Sequence, residues 1–337
     1  MKAVVLVGGF GTRLRPLTLA RPKQMLPVGH VTMLEQVIAR LGECGVTEVV
    51  LSLGYRPDVF TTAFPDQLCA GVSLVYAQEP EPLDTAGAIA FAARAADIGE
   101  TFFALNGDVL SDIDLPALWR RHGELGTAAT IALTPVDDPS RYGVVVTDDS
   151  DRVLEFVEKP PAGSAPSNWI NAGSYVLEPS VLDLIPANEK VSIERVTFPK
   201  LVEQGRLAAI GDSAYWLDAG THETYLQANT DLVDGRRGSR IDAIASTASV
   251  DQSALVGGSV VGADAVIGAD AIVEHSVIMP RAVIESGAVV RGSIVGEGST
   301  VGAGAILDSL SVVGFGCSVG AGQRLSHALV PPAEEWS

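Results

Sequence analysis

Three glycines at 8, 9 and 11, an arginine at 13 and a lysine at 23 stand together in LVGGFGTRLRPLTLARPKQMLPV, positions 6–28. Glycines after an apolar run let backbone N–H groups come close to phosphate oxygens. Arg13 can fork onto a polyphosphate and Lys23 can add a point charge. The stretch is neither GxxxxGK[ST] nor GxGxxG, so neither common nucleotide loop accounts for it. Its charge setting is unusual: the chain carries a formal charge of −18, yet the first acid is Glu35, after Lys2, Arg13, Arg15, Arg21 and Lys23. A cationic segment kept free of acids in an acidic protein points to a local anion site. Further along, Asp108 in LNGDVLSDID and Asp218 in YWLDAGTHETY each follow an apolar stretch. The ends of such strands are where α/β proteins place ligand-binding groups. Asp112 and Asp114 read as turn and helix-start residues, His30 as a turn residue and His222 as part of a helix start.

These groups need a scaffold, and the chain supplies two kinds. Up to about residue 233, apolar β-branched runs (AVVLV, EVVLSL, VSLVYA, TFFALN, ATIALT, GVVVT) alternate with helix-like segments at 31–44, TAGAIAFAARAA and LPALWRRHGEL. The alternation predicts an α/β fold on a mainly parallel sheet. Residues 241–325 differ: 14 glycines, no lysine and a single aromatic, Phe315. There Leu255, Val261, Ile267, Val273 and Met279 recur every six residues, as do Val295, Val301, Leu307, Val313, Val319 and Leu325, with a phase slip between 279 and 295. One inward aliphatic per six residues, with small residues at the corners, predicts a triangular solenoid, the left-handed parallel β-helix. VDGRRGSRID is the expected junction, between domains at 1–235 and 241–330.

Whole-chain properties narrow the function. The acidity disfavours nonspecific nucleic-acid binding. No apolar run approaches the roughly 18 residues of a membrane span, and MKAVVLVGG lacks the h-region of a signal peptide. Cys44, Cys69 and Cys317 are odd in number and far apart, which argues against a disulfide framework and for a reducing, cytoplasmic setting.

The full pattern G-G-x-G-T-R-L-x-P-L-T-x-x-x-P-K resembles the signature of the sugar-1-phosphate nucleotidyltransferases, or nucleotide-sugar pyrophosphorylases. The resemblance implies a Rossmann-like nucleotidyltransferase domain. It implies nucleotide and phosphate contacts from Gly8, Gly9, Gly11, Thr12 and Arg13, with Lys23 on the phosphates and Asp108 and Asp218 as ligands of Mg²⁺. RYGVVVTDDSDRVLEFVEKP and WINAGSYVLEP resemble the sugar-phosphate segments; they imply Gly143, Glu158, Lys159 and Asn171 as contacts. YAQEPEPLDTAGAI resembles the base-recognition segment, with Gln78 and Thr85 implied. Here Asp84 stands where the family usually has glycine; its carboxylate could accept from guanine N–H groups, accept from hydroxyls of an unusual acceptor, or point away from the substrates. Glu194 in SIERVTFPKL is left without a role.

The implied reaction is attack of a sugar 1-phosphate oxygen on the α-phosphorus of a nucleoside triphosphate, releasing pyrophosphate. The nucleophile is already anionic, so no strong general base is needed; Arg13, Lys23 and Asp108 are the catalytic candidates. Among its subgroups the chain most resembles the mannose-1-phosphate guanylyltransferases, implying GTP, mannose 1-phosphate and an oligomer. PKQMLP leans toward thymidylyltransferases acting on dTTP and glucose 1-phosphate. A relative activating a cyclitol phosphate such as valienol 1-phosphate would carry the same motifs. Two readings of other classes are a hexapeptide acyltransferase using His275 or His327, and a non-catalytic subunit that binds nucleotide sugars.

Overall fold

The computed structural model describes residues 1–238 and 240–336; Ser239, in the expected junction, lies outside them. The chain forms two compact units, Met1–Gly9 with Leu34–Trp216, and Phe10–Met33 with Leu217–Ser337. The signature stretch is therefore shared: Gly8 and Gly9 end a segment of the first unit, and the residues from Phe10 to Met33 belong to the second.

The first unit is built on a ten-stranded mixed sheet. Its parallel heart comprises β1 (Lys2–Leu6), β2 (Glu48–Leu53), β3 (Val72–Gln78) and β4 (Phe102–Asn106), in the order β4-β1-β2-β3. These are the apolar runs singled out in the sequence; β1, β2 and β4 are almost wholly buried along their middles, as strands covered on both faces must be, while β3 alternates buried Val72, Leu74 and Ala77 with exposed Ser73 and Gln78. The parallel region is narrower than expected. β5 (Ala129–Pro135), β6 (Gly143–Thr147), β7 (Val153–Glu158) and β8 (Trp169–Leu177) extend the sheet, and β8 runs antiparallel to β4, β5 and β6. Helices α1 (Met33–Glu43), α2 (Asp84–Ala95) and α3 (Leu115–Leu125) fall where helical spacing placed them. Asp114 caps α3 by accepting from Ala117 N at 2.8 Å, as a helix-start aspartate should. Phe102, Tyr175 and Phe198 are fully buried in the core, each worth roughly 1.5–3 kcal/mol of transfer free energy.

In this sheet the chain order runs outward from β1 in both directions, to β2 and β3 on one side and to β4 on the other. Such a switch point leaves a crevice at the carboxyl ends of β1 and β4. Gly8, Gly9 and Asp108 follow those two ends.

The second unit contains three parallel five-stranded sheets, the flat faces of the expected parallel β-helix. Val250, Ile267, Ile284, Val301 and Val319 stack on one face, and Val261, Ile278, Val295, Val313 and Val330 on another. Two expected inward positions shift. Leu255 is 62% exposed and its neighbour Val256 packs on the core, while Ile278 rather than Met279 occupies the stacked column. The phase slip is not single but recurs: Val256 to Val261, Val273 to Ile278 and Val290 to Val295 are all five-residue steps. Each of these corners turns through one left-handed residue, Gly258, His275 or Gly292. The next coil has two, Ser309 and Leu310, and regains the six-residue step. Buried serines line this edge; Ser276 N donates to Ser259 Oγ at 3.0 Å and Ser293 N to Ser276 Oγ at 3.1 Å. The two solenoid histidines of the acyltransferase reading, His275 and His327, are exposed left-handed corner residues. Among the described residues no helix is long and apolar enough to cross a membrane.

Candidate active site

Close backbone approach organises the first unit's strand ends. A Cβ on Gly54, just past β2, would lie 3.0 Å from Gly8 O, and one on Gly8 would lie 3.3 Å from Glu79 Oε1. Glu79 ties the neighbouring turn down: Oε1 accepts from Ser52 Oγ at 2.9 Å and Oε2 from Leu83 N at 3.0 Å. Gln78, the exposed last residue of β3, pairs in register with Leu53. Asp84 then begins α2 with φ +60, the left-handed conformation that the glycine usual at this position takes without strain. Its Oδ1 accepts from Thr85 N at 2.8 Å, and its carboxylate is exposed. The Thr85 hydroxyl, expected to meet the base, is engaged within the protein. It donates to Glu194 Oε2 at 2.8 Å and accepts from Ile193 N at 2.8 Å, and Ser192 Oγ donates to the same glutamate oxygen. Glu79 and Glu194 thus hold the residues on either side of Asp84, and the role left open for Glu194 is at least this one.

Asp108 follows Gly107, whose N–H donates to Leu6 O at 3.0 Å. The segment after it is held by Arg40, which bonds Asp112 at 2.8 Å and Ile113 O at 2.7 Å.

The four expected sugar-phosphate residues come together in this unit. Gly143 pairs with Glu158 across β6 and β7, and a side chain at 143 would lie 2.6 Å from the Phe156 ring and 3.0 Å from Glu158 Oε2. Lys159, also left-handed, places its Nζ 3.2 Å from Glu158 Oε1. On β8, a register shift between Asn171 and Tyr175 makes a bulge. There Asn171 Nδ2 donates to Tyr175 OH at 2.9 Å and its Oδ1 accepts from Gly173 N. Burial, followed by the negative charge of Glu194, raises the Tyr175 phenol well above its ordinary range. It stays protonated and can donate. Trp216, which sequence reasoning passed over, donates from Nε1 to Ala172 O at 2.9 Å and packs edge-on against Tyr142. No spacing rule marks it; only the fold brings it beside this cluster.

The second unit builds the cationic turn. Gly11 has φ +62, and its carbonyl accepts from Thr18 Oγ1 at 2.8 Å, closing the loop on itself. A Cβ on Gly11 would lie 3.2 Å from the Lys23 Cβ. The Arg13 guanidinium, 55% exposed, lies 4.0 Å from Asp218 Oδ2, and both flank Gly220. Arg13, Lys23 and Asp218 are thereby neighbours of one turn, with Thr12 exposed at its start. The acid-free run is nevertheless not one anion site. Lys2 bridges Glu48 at 2.7 Å and Ala96 O at 3.1 Å, and Arg21 pairs with Glu297 at 2.9 Å. Half-buried His222 has its pKa lowered, first by desolvation, despite backbone hydrogen bonding at Leu14 and Arg15.

The donor chemistry fits a hard divalent cation: Asp108 and Asp218 offer carboxylate oxygens only. Among the described residues no group of three or more His, Cys, Asp or Glu could enclose a metal.

Comparison with known proteins identifies the family. Residues 2–235 match the family described as Nucleotidyl transferase, and 241–337 match the GMPPB C-terminal domain. A mannose-1-phosphate guanylyltransferase of Mycobacterium tuberculosis is 42% identical over 270 residues, covering 77% of this chain and 74% of its own. Mannose-1-phosphate guanylyltransferase 1 of Arabidopsis thaliana is 40% identical over 273 residues, covering 78% and 75%. A Bacillus anthracis crystal structure assigned as a glucose-1-phosphate thymidylyltransferase superposes with a TM-score of 0.63 at 25% identity, over 72% of this chain and 97% of that one. The chain belongs to the nucleotidyl transferase family, in the form that carries a GMPPB C-terminal domain.

Proposed function

We propose that this protein condenses GTP with mannose 1-phosphate to give GDP-mannose and pyrophosphate, with residues 1–235 as the catalytic domain and 241–330 as the β-helix domain. The observation that carries the reading is the closed cationic turn, Gly11 bonded by Thr18 with Arg13 and Lys23 beside it, in a chain whose relatives are named for that reaction.

The amides of Gly8, Gly9, Gly11 and Thr12 receive the triphosphate, and Arg13 and Lys23 neutralise it. Gln78 and Asp84 face the base: an ionised carboxylate accepts from both the N1–H and the 2-amino group of guanine, which no other common base presents together. Thr85 acts by holding Glu194 with its hydroxyl rather than by contacting the base. Glu158 and Asn171 receive sugar hydroxyls, Gly143 leaves room for the sugar, and Lys159 faces the sugar phosphate. Asp108 and Asp218 would hold Mg²⁺, which when bound screens the phosphate charges. The attacking phosphate oxygen is anionic at neutral pH, so the protein's task is to bring two anions together in line rather than to remove a proton.

The test is pyrophosphate release in the presence of Mg²⁺ across GTP, ATP, CTP, UTP and dTTP, each with mannose 1-phosphate, glucose 1-phosphate and a cyclitol 1-phosphate. GTP with mannose 1-phosphate should give the highest kcat/KM; a higher value for any other pair overturns the substrate assignment. Asp108→Asn and Asp218→Asn should each lower turnover by at least about a hundredfold, and near-normal turnover in both would remove their assigned role.

A further inference from the structure

We infer that the β-helix is the mould in which the phosphate-binding turn is set, with Arg21, Glu297 and Phe315 as positioning residues; this rests on the function proposed above. The segment from Phe10 to Met33 packs with the solenoid and α4 (His222–Asp234). Along that segment the attachments are closely spaced. Pro16 lies against the backbone of Gly314, where an added Cβ would be 3.1 Å from the proline ring. The Arg21 guanidinium spans two partners: its Nη1 lies 2.9 Å from Glu297 Oε2, and its Cζ stands 5.1 Å from the Phe315 ring centroid. Further on, Pro27 O accepts from Tyr225 OH, Gly29 N donates to Asn229 Oδ1 at 2.9 Å, and His30 meets Asp242 O at 2.7 Å.

Two features single out Arg21. It sits two residues before Lys23, with only Pro22 between, so rotation of its backbone carries directly to the lysine. Its charge is also committed away from the triphosphate. Glu297 is only 13% exposed and receives both Arg21 and Arg281, while Phe315, the lone aromatic of residues 241–325, supplies the stacking face. An ion pair this sheltered, capped by a ring, fixes a guanidinium in direction as well as position. Glu297 in turn is set by its coil, since Glu297 O accepts from Gly316 N at 3.0 Å. The stacked coils therefore determine where the cations before and after Pro22 point.

The experiment compares full-length wild type with Glu297→Gln, Phe315→Ala, Phe315→Tyr and Arg21→Ala. Two readouts are taken: amide hydrogen exchange across residues 10–33, and kcat and KM for GTP and for mannose 1-phosphate. Expected are faster exchange confined to 10–33 and a rise of about five- to tenfold in KM for GTP. KM for mannose 1-phosphate should stay within twofold, and Phe315→Tyr should behave as wild type. Arg21→Ala leaves every solenoid residue intact, so it gives an answer even where a solenoid variant folds poorly. Unchanged exchange in 10–33, an increase spread through the solenoid, or equal effects on both KM values would overturn the inference. Should the wild type release no pyrophosphate, the proposed reaction fails, and the exchange comparison alone still decides this point.

Discussion

Gly54→Ala places a methyl group where two loops of the first unit touch. The added carbon would sit 3.0 Å from Gly8 O and 3.1 Å from Gly8 Cα. Both are backbone atoms, so no rotamer change can relieve the contact, and the loop after β1 must retreat by about 0.4 Å to restore ordinary van der Waals spacing. Overpacking of this modest kind costs about 1 kcal/mol, or about 2–4 °C in Tm for a unit of this size. Its effect on chemistry should be larger than that figure suggests. A misplacement of about 1 Å can cost a factor of about 100, so about 0.4 Å at the first phosphate-binding glycine should lower kcat/KM for GTP by roughly five- to sevenfold. Calorimetry and pyrophosphate release measure the two quantities. Gly123→Ala is the control: it lies inside α3 with nothing within 4 Å of the new carbon, and should stabilise by roughly 0.5–1 kcal/mol through helix propensity without touching activity. A Gly54→Ala enzyme with the Tm and kcat/KM of wild type would refute the close-approach argument.

Asp84→Gly removes the carboxylate and relieves the left-handed strain, so the fold should be little changed while the kcat/KM preference for GTP over ITP, which lacks the 2-amino group, falls about tenfold; an unchanged ratio would show that this side chain does not read the base. His222 has its pKa lowered chiefly by burial, so the unfolded chain protonates first as pH falls below about 6.5. The stability the neutral ring contributes is complete above that pH and is lost on descending toward the folded-state pKa; Tm of the wild type should therefore drop more steeply from pH 7 to 5.5 than that of His222→Gln, and parallel curves would contradict the assignment. The Cys69 thiol is pushed up to about 12, first by burial, leaving a thiolate fraction of about 1 in 10,000 at pH 8. Iodoacetamide should leave it unmodified in the native protein, as mass spectrometry of the alkylated peptides can show.

The parallel strands were legible because each is a compact apolar run bounded by turn residues, and the signature turn because its glycines and cations are contiguous. Harder to read were features set by pairs distant in sequence. Nothing local marks Thr85 as a partner of Glu194, 109 residues away, or Arg21 as the mate of Glu297. Lys2 and Arg21 look like members of one cationic cluster until the fold assigns each an acid of its own. The solenoid's core was readable in period but not in phase. Where two aliphatics adjoin, as in Leu255-Val256 and Ile278-Met279, hydrophobicity alone fits either choice, and the corner geometry decides.

That corner has an evolutionary consequence. Three successive coils negotiate it with one left-handed residue and the fourth with two, yet Val295 still stacks on Val313 and Leu307 on Leu325. This seam works as an expansion joint: a coil can gain a residue there without changing which side chains face inward. Along it, lineages can add or lose single residues and redecorate one ridge of the prism while its three walls stay in register.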